Sequence, residues 1–197
     1  MFFDEPFGGV IPGARGSVLA ALLRTGTALT GRQLHRLVGD RHSLWTVQQA
    51  LHDLTRLGLI TTDMVGRAGI HRINERHYAI APLRRLLSPL DALTEVARDA
   101  GGDDLQAVIL FGSIARGDAR ADSDIDLVVI APAIWDRRAH LVDEVRSRLG
   151  NDCDVLHFTS EEFALRRAEG EPVIAEIDRD GVALIGAIPP STAGAVS

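Results

Sequence analysis

The chain contains no lysine: all 21 of its basic residues are arginine. That bias is of the kind a GC-rich genome produces, and it carries no functional weight. There is a single cysteine, Cys153, which excludes an intramolecular disulfide and any cysteine-rich zinc site. The longest apolar stretches, "AVIL" from Ala107 and "LVVIA" from Leu127, fall far short of the roughly 20 residues that span a bilayer. The opening "MFFDEPFGG" carries Asp4 and Glu5 and lacks the basic flank of a signal peptide. The expectation is a cytoplasmic protein with no membrane partner. The seven histidines share no metal-ligand spacing; His71 and His77 are read as exposed residues or as neighbours of a phosphate backbone.

What is present is ordinary in bulk and uneven in distribution. With 197 residues, 46% hydrophobic and 24% charged, the chain can form one medium or two small globular domains. Residues 15–85 hold 11 arginines against four acids, a net of +7, whereas residues 101–197 hold nine arginines against 18 acids, a net of −9. A basic half and an acidic half imply different partners.

Residues 1–13, rich in Gly and Pro, are expected to be poorly ordered. Val18, Leu19, Leu22 and Leu23 follow helical spacing. Thr30 is placed to cap a second helix with Leu34, Leu37 and Val38 on one face. Ser43 is placed to cap a third with Leu44, Val47, Leu51, Leu54 and Leu57 inward. Gly58 stops it, and "LITTDMV", "GRAG" and "IHRINE" read as a β-hairpin. Three short helices and a hairpin over residues 14–82 resemble a winged helix-turn-helix. Residues 83–100 read as a linker helix, with the boundary at Gly101-Gly102. Beyond it strands and helices alternate, which is an α/β or α+β pattern for residues 101–187. "SEEFALRRAEGEPVIAEIDRD" reads as one helix, and residues 188–197 as a flexible tail.

Chemistry concentrates in "GSIARGDARADSDIDLVV", from Gly112 to Val129. Asp124 and Asp126, two apart at the start of a strand, point to one face about 7 Å apart along the backbone. Two like charges held close call for a cation, and Mg²⁺ takes carboxylate oxygens together with substrate phosphates. Asp154, on the next core strand, completes a three-carboxylate set if that strand lies alongside, with Asp152 as its rival. Such a set can hold two metals about 3.5–4 Å apart. Gly112 and Ser113, where a strand gives way to a helix, offer backbone N–H groups and a hydroxyl to phosphate. Arg116 reaches either phosphate or the sheet. Asp118, Arg120 and Asp122 read as an exposed loop, and Cys153 as core.

The string Gly112-Ser113-x-Ala115-Arg116-Gly117, five residues, then Ser123-Asp124-Ile125-Asp126-Leu127 resembles the signature of the polymerase β-like nucleotidyltransferase superfamily, above all its minimal nucleotidyltransferase group. The resemblance covers about residues 100–186. It implies a mixed-sheet domain in which Gly112 and Ser113 hold the NTP triphosphate, with Arg116 a further nucleotide-binding candidate from its place one turn on. It further implies that Asp124, Asp126 and Asp154 hold Mg²⁺ or Mn²⁺, with Asp154 helping to activate an acceptor hydroxyl. The expected activity is transfer of an NMP, AMP first, to a protein or RNA acceptor. The acceptor in the protein case is a partner toxin, within a toxin–antitoxin or phage-defence module.

The basic half suggests nucleic acid, reached by His42, Gln48, Gln49 and His52 on the third helix and by Arg67 and Arg72 on the hairpin. Trp45 serves either core packing or a base contact, packing being favoured. Dimerisation or protein contact is the alternative use of such a domain. A DNA-binding regulator whose nucleotidyltransferase domain only senses nucleotide is the alternative function, and a homodimer would suit it.

Overall fold

The computed structural model describes residues 1–120 and 123–190. The chain divides into two compact units, Glu5–Pro89 and Met1–Asp4 with Leu90 onward. Asp122 and the last seven residues of the expected tail lie outside the described residues.

The N-terminal unit begins with a 3-10 turn, Pro6–Gly9, whose Phe7 is fully buried. Helix α1 (Gly13–Thr25) buries Val18, Leu19 and Leu22 and ends at Gly26 in the left-handed region. A short strand β1 (Leu29–Thr30) leads into α2 (Gly31–Val38). Thr30 and Gln33 form a reciprocal capping box: the Gln33 N–H donates to Thr30 Oγ1 at 3.3 Å, and the Thr30 N–H to Gln33 Oε1 at 2.8 Å. Such a cap contributes about 1 kcal/mol. Helix α3 (Leu44–Arg56) starts at Ser43, whose hydroxyl accepts the Thr46 N–H at 3.2 Å. Strands β2 (Ile60–Val65) and β3 (Ala68–Ile73) form the hairpin, and β1 adds to β3, giving the antiparallel order β1-β3-β2. Helix α4 (Ile80–Leu86) follows, anchored by Ile80.

Three expectations for this half are corrected. The first 13 residues are built into the structure: Met1 and Phe3 pack on the C-terminal unit's core, and Phe7 and Ile11 join the N-terminal one. Helix α3 buries a narrower stripe than its leucines imply. Val47, Ala50, Leu51 and Leu54 are inside, while Leu44 and Leu57 at its two ends, like Leu37 on α2, are exposed. Trp45 is 71% exposed rather than packed. It lies two positions before Val47, about 200° round the helix, and so faces away from the buried stripe.

The expected linker helix is also corrected. The helix breaks before Pro89, whose ring and missing N–H prevent continuation. Helix α5 (Pro89–Gly101) then places Leu93, Val96, Ala97 and Ala100 in the core of the C-terminal unit. The boundary therefore falls at Pro89, because the apolar stripe of α5 is needed to cover the sheet.

That sheet contains β4 (Ala107–Phe111), β5 (Ile125–Ile130), β6 (Cys153–Phe158) and β7 (Val182–Ile185) in the order β6-β5-β4-β7. The β5–β6 pair is parallel; β4 is antiparallel to both its neighbours. Helix α6 (Gly112–Arg116) joins β4 to β5, and α7 (Arg138–Leu149) makes the crossover to β6. The expected single C-terminal helix is two, α8 (Ser160–Ala168) and α9 (Pro172–Asp180), because Gly170 at φ 73° and Pro172 break it. Alternate residues of β4 and β5 face opposite layers: Val108, Leu110, Leu127 and Val129 meet α5 and α7, while Ile109, Val128 and Ile130 meet Phe163, Ile174 and Ile177 of α8 and α9. This is the mixed α/β layering read from the sequence. Among the described residues no helix is long and apolar enough to cross a membrane.

Candidate active site

The strand ends decide the site. Strand β4 finishes at Phe111 where β5 and β6 begin, so the three strand ends meet at one end of the sheet. Asp126 is the second residue of β5 and pairs with Phe111 on one side and Asp154 on the other. Asp124 directly precedes β5 and is exposed, as is Asp154; Asp126 is half-buried.

Gly112 follows β4 with φ 72°, a backbone conformation that L side chains rarely adopt. A Cβ there would overlap the Asp126 carboxylate. The glycine is thus required twice, for the turn and for the approach of the acid. Helix α6 is one turn long and ends at Gly117, φ 78°. Ser113 opens that turn, and its carbonyl accepts the Asp118 N–H at 2.9 Å.

The electrostatics follow from this crowding. The Asp126 carboxyl is pushed above the usual carboxylate range, first by burial and then by Asp154, Asp124 and Glu176, while Arg116 opposes the shift. Glu176, on α9, was not singled out from the sequence. It ion-pairs with Arg116 across 60 residues, and Arg116 also lies 3.6 Å from Asp118. Its only sequence signal is an acid on the inner side of an amphipathic helix. Arg116 is therefore paired with both acids, near the carboxylates. The rival Asp152 faces away from the set: its carboxylate lies 3.4 Å from Arg146 on α7. Cys153 is buried in the core as expected; burial and the three aspartates push its thiol up to about 12.

Among the described residues no three His, Cys, Asp or Glu side chains are already drawn into a metal cage. The donor set nonetheless suits a hard divalent cation: carboxylate oxygens with mutual repulsion that a cation would relieve. Asp124, Asp126 and Asp154 are the residues that would hold it.

In the N-terminal unit the expected nucleic-acid residues separate. Gln48, Gln49 and His52 are exposed on α3, and Arg67 is exposed on the hairpin turn. His42 is half-buried and hydrogen-bonded to Ser17 at 2.9 Å, and Arg72 is paired with Asp63 at 2.6 Å. His71 is corrected: it is 8% exposed and bonded to Thr62. His77 is half-buried, its Nδ1 accepting the Ala79 N–H at 3.2 Å.

The mixed α/β fold of the C-terminal unit is consistent with a nucleotidyltransferase domain of the polymerase β type. The polymerase beta, nucleotidyltransferase family profile matches residues 93–180. A putative protein adenylyltransferase, MJ1305 of Methanocaldococcus jannaschii, is 49% identical over 49 residues, which are 25% of this chain and 33% of that protein. The match thus spans about a third of that relative's length. A toxin–antitoxin crystal structure with AMP-PNP overlays at a TM-score of 0.39 and 24% identity, over 50% of this chain and 74% of that one. A tri-AMPylated HEPN toxin from Shewanella oneidensis in complex with its MNT antitoxin overlays at 0.34 and 22%, over 50% and 70%.

Proposed function

We propose that this chain is a nucleotidyltransferase that moves AMP from ATP to a hydroxyl of a protein acceptor. The observation that carries the reading is the register setting Asp126 beside Asp154, with Asp124 next to them and Gly112 opening the backbone under Asp126. The short identity with a putative protein adenylyltransferase supports the adenylyl group and the protein acceptor.

In this reading the N–H groups of Gly112 and Ser113 and the Ser113 hydroxyl hold the triphosphate. Asp124, Asp126 and Asp154 hold Mg²⁺ or Mn²⁺, which supplies charge neutralisation on the phosphates. Asp154 orients the acceptor hydroxyl and takes its proton. The acceptor oxygen forms a bond to the α-phosphorus, the bond from that phosphorus to the bridging oxygen breaks, and pyrophosphate leaves with the electron pair. Arg116, braced by Glu176, adds positive charge beside the carboxylates. The chemistry is mostly positioning and charge neutralisation, which a small domain can provide. A partner toxin is the acceptor that suits the family resemblance, and an RNA end is the other substrate to test.

A second reading is favoured by the exposed Gln48, Gln49, His52 and Arg67 on a unit of net positive charge. There the N-terminal unit is a winged helix that binds nucleic acid, as a regulator and as a dimer.

Incubation with each α-labelled NTP and Mg²⁺, with lysate protein or total RNA added, tests the first reading. A labelled band lost in Asp124→Ala/Asp126→Ala supports transfer, and its protease or RNase sensitivity names the acceptor. Transfer that survives the double substitution overturns the metal-site assignment. No transfer, with tight and salt-sensitive binding to the DNA upstream of its own gene, favours the regulator.

A further inference from the structure

A cleft of about 670 Å³ lies wholly within the N-terminal unit, between the start of α2, the face of α3 and the hairpin. Its size is that of small-molecule sites, about 300–1,000 Å³. Its chemistry is selective. Arg32 and Arg67 line it, and among the described residues neither makes an ion pair or hydrogen bond within the chain. No acid lines it. Gln48 crosses its wall, and a Cβ on Gly31 would collide with that amide, so the glycine lets Gln48 lie over the start of α2. Met64 and Val65, 68% and 61% exposed, form an apolar side.

The floor is His71, and its tautomer is fixed by a relay. Thr55 Oγ1 donates to the Leu51 carbonyl at 2.8 Å. A hydroxyl has one proton to give, so Thr55 accepts from Thr62 at 3.1 Å. Thr62 has then spent its proton and accepts from His71 Nδ1 at 2.9 Å. Neutral His71 therefore carries its proton on Nδ1, and its unprotonated Nε2, with no partner in the chain among the described residues, lies against Gly69 in the cleft's lining. Burial lowers the His71 pKa and keeps the ring neutral.

We propose that this cleft is a second nucleotide site, distinct from the carboxylates, which takes a nucleoside monophosphate whose base bears an exocyclic amine, with AMP as the fit. Arg32 and Arg67 receive the phosphate as charge-assisted hydrogen bonds. The amine donates to His71 Nε2. Gln48, which offers a donor and an acceptor together, matches an adenine edge. Met64 and Val65 bed the ring. A duplex backbone matches less well, since its phosphates offer no donor to a neutral imidazole.

The test uses the full chain carrying Asp126→Ala, in EDTA, so that the carboxylate site does not report. AMP is titrated by calorimetry and by imidazole ¹⁵N spectra, with His71 assigned by loss of its signals in His71→Gln. Saturable heat together with movement of the His71 Nε2 resonance is expected. Arg32→Ala/Arg67→Ala removes two exposed, unpaired side chains and should weaken AMP roughly tenfold or more with unchanged circular dichroism. Thr62→Val frees the tautomer and should also weaken it. The proposal is overturned if AMP leaves His71 unmoved, if the arginine double variant binds as well as its parent, or if inorganic phosphate competes as strongly as AMP. It is overturned as well if a DNA duplex moves the His71 resonance and AMP does not. None of these outcomes depends on whether the C-terminal unit transfers AMP.

Discussion

Substituting Gly112 by alanine tests the architecture of the carboxylate site, and Gly117 provides its control. Both glycines bracket α6 and both have positive φ, 72° and 78°. A Cβ at Gly117 would meet nothing within 4 Å, so Gly117→Ala incurs backbone strain alone, about 1–2 kcal/mol. A Cβ at Gly112 incurs the same strain and also overlaps the Asp126 carboxylate, which must move. Overpacking of that kind adds about 1–3 kcal/mol, and a displacement of about 1 Å in a positioned group can cost about 10²-fold in rate. Gly112→Ala should therefore lower stability by about 2–5 kcal/mol and nucleotidyl transfer by about two orders of magnitude. Gly117→Ala should lower stability by about 1–2 kcal/mol and leave most of the transfer. Urea unfolding followed by Trp135 fluorescence reads the stability, because Trp135 is buried in this unit, its indole bonded to the Gly101 carbonyl at 2.9 Å. Trp45, exposed in the other unit, is first replaced by Phe. If the two alanine variants are equally stable and equally active, Asp126 does not sit against Gly112 and the reasoning fails.

Further outcomes follow from the same geometry. A double-mutant cycle on Arg116→Ala and Glu176→Gln, read in the rate of transfer, should return a coupling near 1 kcal/mol, whereas effects that add within about 0.3 kcal/mol would mean that the pair is incidental. Asp126 has a raised folded pKa, so its ionised form costs stability at neutral pH, and that cost fades as pH falls through the raised value. In EDTA, Asp126→Asn should then unfold at higher urea than the parent at pH 7, with the gap closing on acidification; a gap independent of pH would contradict this. Saturating Mg²⁺ should narrow the same gap at pH 7 by stabilising the parent alone, and removing it with EDTA should abolish transfer. Cys153, buried with its thiol pushed up to about 12, should resist a thiol reagent at pH 8 until urea unfolds the unit; immediate reaction of the folded protein would show it accessible.

Much was legible in the sequence because it is local. The capping residues Thr30 and Ser43, the hairpin and the run from Gly112 to Val129 follow from spacing and turn chemistry within a few positions. The alternation of the second half was enough for a mixed α/β layering. What was missed is of three kinds. Helix ends within apolar runs went unread: Pro89 and Pro172 divide what periodicity alone would join. Facing was misjudged where a stripe is narrower than its leucines imply, as at Leu44, Leu57 and Trp45. Ion-pair partners distant along the chain, such as Glu176 for Arg116, left only a faint signal.

By itself, then, the sequence marked the candidate site residues: the Gly112-Ser113 turn, the acids at 124 and 126, and a third acid near 154. Period and turn propensity are written into neighbouring residues, so they survive without a fold. Tertiary structure alone decided among the candidates. The parallel register of β5 and β6 put Asp154, not Asp152, beside Asp126. The packing of α9 brought Glu176 to Arg116, and the pairing of β2 with β3 buried His71 against Thr62. Each is a contact whose existence depends on how strands align and helices dock, and that is set by the burial of the whole core rather than by any short stretch of chain.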